Sequence, residues 1–243
     1  MKTNLSAILF SIAIIIAAWV LGYAVINRNK PQGTVHVTGL GEQNFTSDLI
    51  VWEGNFTRES KDLKAAYSDL EKDRIAVSSY LKSKGISDEQ LVFNAVSTLP
   101  MYQQNYTSSG NYAGQTFTGY QLSQTFVIES KEVEKVEKVS REITELLNQG
   151  ITLYSQPPRY YYTQLESLKL EMVAKATEDG RIRAERIAEN SKSKLGDLVT
   201  ANMGVFQITG QNSGEDYSWG GAFNTTSKNK TASITMKLVF EVD

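Results

Sequence analysis

Hydrophobic positions along the chain form one long apolar run followed by shorter, periodic segments. The run extends from Leu5 to Ile26 without a charge. A helix rising about 1.5 Å per residue over that length crosses a hydrocarbon core about 30 Å thick. A cleavable signal peptide has a shorter apolar core and ends in small residues, whereas this run ends in Tyr-Ala-Val-Ile. The pattern predicts an uncleaved membrane anchor over residues 1–30, with a cleaved signal sequence as the alternative.

After the apolar run, the periodicity predicts seven strands and three amphipathic helices. Alternating apolar and polar positions mark strands, and apolar residues at steps of three and four mark helices. The predicted strands are 34–38, 49–57, 91–101, 116–128, 151–162, 199–209 and 228–242. The predicted helices are 60–84, 130–148 and 165–194. Antiparallel strand pairs set between helices are typical of an α+β fold.

Glycine and proline residues modify two of the predicted strands. Gly39 and Gly41 are expected to end the first strand, which then forms a hairpin with the second. Pro157 and Pro158 lack backbone N–H donors. The strand over 151–162 is therefore expected to lie at a sheet edge or to contain a bulge.

The longest predicted helix carries small residues along one face. Ala176, Gly180, Ala184 and Ala188 recur every four residues, so another element is expected to pack closely against this face. Gly180 in the middle of a helix costs roughly 1 kcal/mol relative to Ala, and close approach of another backbone would offset that cost.

Two predicted loops, 103–115 and 211–227, combine aromatic side chains with Ser, Gly and Asn. This composition is typical of recognition surfaces, because a rigid ring provides contact area at a small entropic cost. Either the rings pack on neighbouring strands, or they form a surface for another subunit, a glycan or a peptide. The candidate surface residues are Tyr102, Tyr106, Tyr112, Tyr120, Tyr161, Tyr217 and Trp219.

The composition excludes several classes of chemistry. No cysteine is present, which excludes disulfides, thiolate nucleophiles and Cys-based zinc sites. The net charge of -2 offers no basic surface for nucleic acid. His36 is the only histidine, and no G-x-S-x-G elbow precedes a helix. We therefore predict no enzymatic activity, no cofactor and no metal site.

Two short motifs lie in the first predicted strand and the third predicted helix. The first is Val37 to Glu42, followed by Ser47-Asp48, and the second is Ala176 to Ala188, followed by Leu195-Gly196. They resemble the V-x-G-x-G-x…P-D start and the A-x-x-D-A-x-x-K-A-x-x-x-A helix of the SIMPL-domain family of bacterial envelope proteins. The resemblance covers about residues 35–242. The departures from the family pattern are Ser47 in place of Pro, Gly180 in place of Ala and Arg183 in place of Lys.

The resemblance implies one exported α+β domain over residues 31–243, with two sub-structures of about 34–130 and 131–243 as an alternative. Some members of the family form large rings, and some are linked to oxidative-stress defence. We therefore expect a homo-oligomer on the periplasmic side, anchored to the inner membrane by Leu5 to Ile26. Its subunit contacts are expected at the hairpin tip from Tyr102 to Tyr120 and at the small-residue helix face. The alternative is a monomeric module whose Tyr and Trp loops bind envelope glycan or peptide.

Overall fold

A membrane-length helix begins the chain in the computed structural model, which describes residues 2–28 and 33–243. This helix, α1, is Lys2–Arg28, and no part of its apolar window Ala7–Val25 is buried within the protein. By length and composition the window can cross a membrane, and a signal sequence has the same properties. The predicted apolar helix is confirmed, and the predicted end of the anchor at residue 30 lies outside the described residues.

Among the described residues, three further α-helices and ten strands follow α1. The helices are α2 Leu63–Ser83, α3 Val133–Glu142 and α4 Leu165–Asn190, and a 3-10 helix, Ile143–Gln149, continues α3. The strands are β1 Gly33–Thr46, β2 Leu49–Ser60, β3 Leu91–Phe93, β4 Ser97–Tyr106, β5 Tyr112–Ser130, β6 Thr152–Ser155, β7 Arg159–Tyr161, β8 Leu195–Met203, β9 Gln207–Gly210 and β10 Asn229–Val242. All three predicted amphipathic helices are confirmed.

The strands form two sheets, which confirms the predicted α+β class. In the first sheet the order is β1-β10-β8, and β9 also pairs with β10. In the second sheet the order is β3-β5-β2-β6, with β4 beside β5 and β7 beside β2. The predicted hairpin between the first two strands is wrong, because β1 and β2 belong to different sheets. The turn between β1 and β2 is instead bound to the residue before β10, because the Ser47 amide donates to the carbonyl oxygen of Lys228 at 2.9 Å.

The described chain divides into two compact units, each built from separate segments. Unit 1 contains the described residues up to Leu40, together with Lys175–Gly204 and Thr235–Asp243. Unit 2 contains Gly41–Ala174 and Val205–Ile234. The sequence division near residue 130 stays a prediction.

Unit 1 is organised around the small-residue face of α4. Ala176, Gly180, Ala184 and Ala188 are all buried, as the four-residue period predicts. The predicted close packing is confirmed, because a Cβ at Gly39 would lie 1.9 Å from the Ala176 carbonyl oxygen. The prediction that Gly39 and Gly41 end the first strand is wrong, since β1 runs through both. Gly39 instead permits the backbones of β1 and α4 to approach one another.

An ion pair fixes the same region of unit 1. Asp179 on α4 accepts the backbone N–H of Leu40 at 2.8 Å and pairs with Arg183 at 2.9 Å. The second contact joins two residues four apart on one helix face, a spacing that favours ion pairs. The pKa of Asp179 lies below its ordinary value, chiefly because its carboxylate accepts the Leu40 N–H.

Unit 2 buries one face of the second sheet against α2 and α3. Trp52, Phe56 and Phe126 are among its largest fully buried side chains. Helix α2 begins where the Asp62 side chain accepts the Ala65 amide at 2.7 Å, a typical N-cap. Its buried residues are Ala66, Leu70, Asp73, Val77 and Leu81, whereas the apolar residues Leu63 and Tyr67 of the same helix are exposed.

Two strand predictions in unit 2 need correction, and one is confirmed. The predicted strand over 91–101 divides into β3 and β4, with the Gln124 side chain donating to the Asn94 carbonyl oxygen in the gap at 2.8 Å. The predicted loop over 103–115 is mostly strand, because β4 extends to Tyr106 and β5 begins at Tyr112. The two prolines interrupt the edge formed by β6 and β7, as predicted.

Candidate interaction surface

The hairpin of β4 and β5 ends in a two-stranded ribbon, here defined as residues 101–106 and 112–118. Strand β5 lies between β4 and β2 up to the pair Ser60 and Tyr120. Beyond that pair, β5 is paired only with β4 among the described residues. None of the ribbon residues is buried, so both of its faces are open to solvent.

The aromatic rings of the ribbon pack on one another across the two strands. Tyr102 faces Phe117 with ring centroids 5.7 Å apart, and Tyr106 faces Tyr112 at 6.2 Å. Phe117 also contacts Tyr120, which is half-buried at the base of the ribbon, at 5.1 Å. These edge-to-face pairs stabilise the ribbon, yet Tyr106 and Tyr112 remain 60% and 61% exposed. The structure therefore brings four of the predicted tyrosines together on one hairpin.

The ribbon is also free of charge. From Gln90 to Ile128 the sequence contains no Asp, Glu, Lys, Arg or His. Exposed strands are ordinarily protected from strand pairing by charged side chains or proline, and an isolated two-stranded hairpin is only marginally stable in water. An uncharged, aromatic ribbon of this kind has the properties of an interaction surface.

A second exposed aromatic, Trp219, lies on a tight turn over residues 218–221. The buried side chain of Gln207 holds both ends of this turn: it donates to the Ser218 carbonyl oxygen at 2.8 Å and accepts the Ala222 amide at 2.6 Å. Gly221 has a positive φ of 95° and donates to the Ser218 carbonyl oxygen at 3.0 Å. The Trp219 side chain is 99% exposed, so the turn presents an indole that makes almost no contact with the rest of the protein.

The other predicted surface residues lie in different environments. Tyr217 is exposed next to the Trp219 turn, whereas Tyr161 is half-buried in β7 opposite Leu49. The small-residue face of α4, predicted as a second subunit contact, is buried inside unit 1. We therefore base no interaction surface on that face or on Tyr161.

Lys230 is a buried cation that sequence reasoning missed. Its side chain is 2% exposed, and its Nζ donates to the Tyr160 carbonyl oxygen at 2.6 Å and to Ser47 Oγ at 3.0 Å. Burial lowers the pKa of Lys230 to about 8, an effect that the carboxylate of Glu215 opposes. The lysine thus joins the turn before β2, strand β7 and strand β10 through neutral acceptors.

The neighbouring Lys228 is paired in the ordinary way. Its Nζ donates to a Glu137 carboxylate oxygen at 2.8 Å. That hydrogen bond raises the pKa of Lys228 and lowers the pKa of Glu137. His36 is exposed on β1, and in the part of the chain that the structure describes no three His, Asp or Glu side chains lie close enough to hold a metal ion.

Comparison with models of known protein families gives a match over most of the chain. A family model described as SIMPL, protein of unknown function (DUF541), matches residues 35–240. A comparison with curated proteins finds no match. The family match spans most of the chain and includes both motifs identified in the sequence.

Proposed function

The chain belongs to the SIMPL family, and from that premise we propose that it is a non-enzymatic protein of the cell envelope that assembles into an oligomeric scaffold or ring. The ribbon carries this proposal, because its exposed aromatic pairs and its lack of charge suit burial against another protein surface. The association with oxidative or envelope stress defence rests on the family resemblance alone. In this proposal, the defence role follows from assembly and not from turnover of a substrate.

The decisive measurement is the mass of the full-length protein in detergent, by light scattering after size exclusion. We expect a mass several times that of one chain. Replacing Tyr112 and Phe117 together with Ser should reduce that mass, because both rings are exposed and their removal leaves the core of unit 2 unchanged. Trp219→Ser is the matched control, since it removes an even more exposed aromatic outside the ribbon.

Either of two results would contradict the scaffold proposal. The first is a monomeric wild-type protein over the whole accessible concentration range. The second is a double-serine ribbon variant that keeps its fold, as judged by circular dichroism, and also keeps the wild-type mass.

For location, we propose that α1 remains as an anchor in the inner membrane and that residues 33–243 lie on the periplasmic side. A helix long enough to cross the bilayer supports this proposal. Protease added to intact spheroplasts should digest residues 33–243 and leave the anchor, and mass spectrometry of the mature protein should find the N-terminal segment still attached. Protection of residues 33–243 would refute the periplasmic orientation.

A second candidate function is a monomeric binding module for envelope glycan or peptide, and Trp219 favours it. A fully exposed indole on a turn held by Gln207 can stack on a sugar ring or pack on a peptide without reorganising the loop. Saturable binding of envelope polysaccharide should be lost in Trp219→Ala and kept in Tyr154→Ala, which removes another exposed ring. Equal loss in both variants would count against a specific site at the turn.

A further inference from the structure

In the described part of the chain, no strand lies beside the β5 edge of the ribbon. Strand β2 ends at Ser60. Its carbonyl oxygen lies close to Gly119 of β5, at 2.6 Å from where a Cβ on that glycine would be. The chain then turns away and enters α2 at Leu63. Residues 112–118 of β5 therefore continue along the line that β2 has left, and no other described strand pairs with that side.

The open edge at residues 112–118 contains no proline, although its pairing with β4 shifts register between Gly119 and Phe117 and between Gln115 and Tyr112. The edge formed by β6 and β7 is broken at Pro157-Pro158, and β4 contains Pro100 directly before its ribbon residues 101–106. Proline removes a backbone donor and blunts an edge against further pairing. Residues 112–118 contain neither proline nor charge. Between the two register shifts, residues 115–117 pair regularly with residues 102–104 of β4, and the outward N–H and C=O groups of β5 can accept an additional strand there.

We propose that residues 112–118 pair antiparallel with the same residues of a second copy of this chain. The product is a continuous four-stranded sheet in which the two β5 strands lie at the centre and the two β4 strands lie outside. This inference rests on the proposed function and specifies one of its subunit contacts. Full overlap of the seven residues sets Gln115 opposite Gln115 of the second copy.

The absence of charge is the reason for choosing a second copy as the occupant. A two-fold contact places each residue near its own equivalent, so a charged residue near the axis would face an identical charge and repel it. No such charge exists between Gln90 and Ile128. A glutamine on the axis is compatible with self-pairing, because its amide can donate to and accept from the amide of its partner.

Charge replacement at Gln115 tests the contact directly. Gln115 is exposed, so Gln115→Lys and Gln115→Glu should each fold normally while placing like charges across the axis. Each variant alone should need at least about tenfold more protein for half-assembly than the wild type. An equimolar mixture of the two should recover wild-type assembly. Gln104→Lys is the control, since Gln104 is exposed and lies directly across from Gln115 on β4, one strand further from the axis.

Crosslinking provides an independent measurement, because the chain has no cysteine of its own. In full-length protein, Gln115→Cys should form a disulfide-linked dimer under mild oxidation. Directly opposed residues of antiparallel strands lie about 4.5–5.5 Å apart at Cα, within the range that a disulfide spans. Gln104→Cys should remain unlinked.

The outcomes separate this contact from the broader proposal. An assembly that keeps its mass in both charge variants, with no dimer from Gln115→Cys, overturns the strand pairing and leaves the scaffold in place. A monomeric wild type overturns both. Loss of assembly in each charge variant with recovery in the mixture supports the pairing, and loss without recovery refutes it.

Discussion

Replacing Lys230 with Met should change how the stability of the protein depends on pH. The lysine is buried, and its two hydrogen-bond acceptors are a backbone carbonyl and a hydroxyl, so no carboxylate in direct contact balances its charge. Burial of an ammonium without such a partner disfavours the protonated form. Methionine has a similar length, carries no charge and should fill the same space.

The magnitude follows from the pKa of Lys230. The ordinary value is 10.5 and the value in the folded protein is about 8. At about 1.4 kcal/mol per pKa unit, the folded state bears a penalty of about 3 kcal/mol whenever the lysine is charged in both states. That penalty is fully present below pH 8. It disappears as the pH rises from about 8 to 10.5, because the unfolded chain binds more protons than the folded protein in that window.

The measurable quantity is the difference in unfolding free energy between wild type and Lys230→Met at pH 7 and at pH 10. Groups that titrate in both proteins cancel in this difference. We expect the wild type to gain about 2.5 kcal/mol relative to the variant between the two pH values, because part of the penalty is relieved only above pH 10. Urea unfolding of the full-length protein in detergent can follow Trp52, which is buried in the same unit, after Trp19 and Trp219 are replaced with Phe.

Lys228→Met is the matched control. Because Glu137 raises the pKa of Lys228, this lysine stays protonated in both states through most of the range from pH 7 to 10. The stability that Lys228 contributes is lost only as the pH rises through its raised pKa. The difference in unfolding free energy between wild type and Lys228→Met should therefore stay nearly constant from pH 7 to pH 10. If the difference in unfolding free energy between wild type and Lys230→Met also changes by less than about 0.5 kcal/mol between pH 7 and pH 10, the burial of a charged lysine is refuted.

Four further substitutions have specific expected outcomes. Gly39→Ala should lower the free energy of unfolding by about 3 kcal/mol or more, because the new methyl group meets the backbone of α4. Gly180→Ala should change the free energy of unfolding by no more than about 1 kcal/mol, because the nearest atom to its new methyl group is a methyl of the flexible Leu238 side chain. Thermal unfolding monitored by circular dichroism compares the two variants. Gln207→Ala should increase hydrogen exchange at the amides of the Trp turn while the ribbon amides stay unchanged. The pKa of Asp179 is lowered in the folded protein, so its carboxylate stabilises the fold above the ordinary pKa of 3.8, and this contribution is lost as the pH falls below about 4. Asp179→Asn should therefore lose less stability than the wild type on acidification over that range.

Periodicity alone was sufficient for most elements of this fold. The helical stripes and the alternating strands are local signals, and burial of one face produces them directly. Strand pairing was not predictable in the same way, because the partner of β1 is β10, nearly two hundred residues later in the chain. The short connection between β1 and β2 suggested a hairpin, and only the tertiary structure shows that each strand enters a different sheet.

Lys230 shows how a local signal can be present and still be missed. In the alternating pattern of β10 it falls on the same face as Ala232, Ile234 and Met236, which are buried. Strict alternation therefore placed its side chain inward. Residue type argued for the surface, since lysine is almost never fully buried without a partner. A charged residue that the alternation places on the buried face of a strand is therefore a useful marker of an unusual buried group.

The ribbon shows the opposite limit of sequence reasoning. The charge-free stretch from Gln90 to Ile128 is visible in the sequence, but a strand buried at the centre of a sheet also lacks charge. In β5 the two cases occur in one strand: from Leu122 to Ile128 alternate side chains are buried, whereas residues 112–118 are not. Burial explains the missing charge in the first part and cannot explain it in the second. The exposed part therefore calls for a different cause, and contact with another protein surface supplies one.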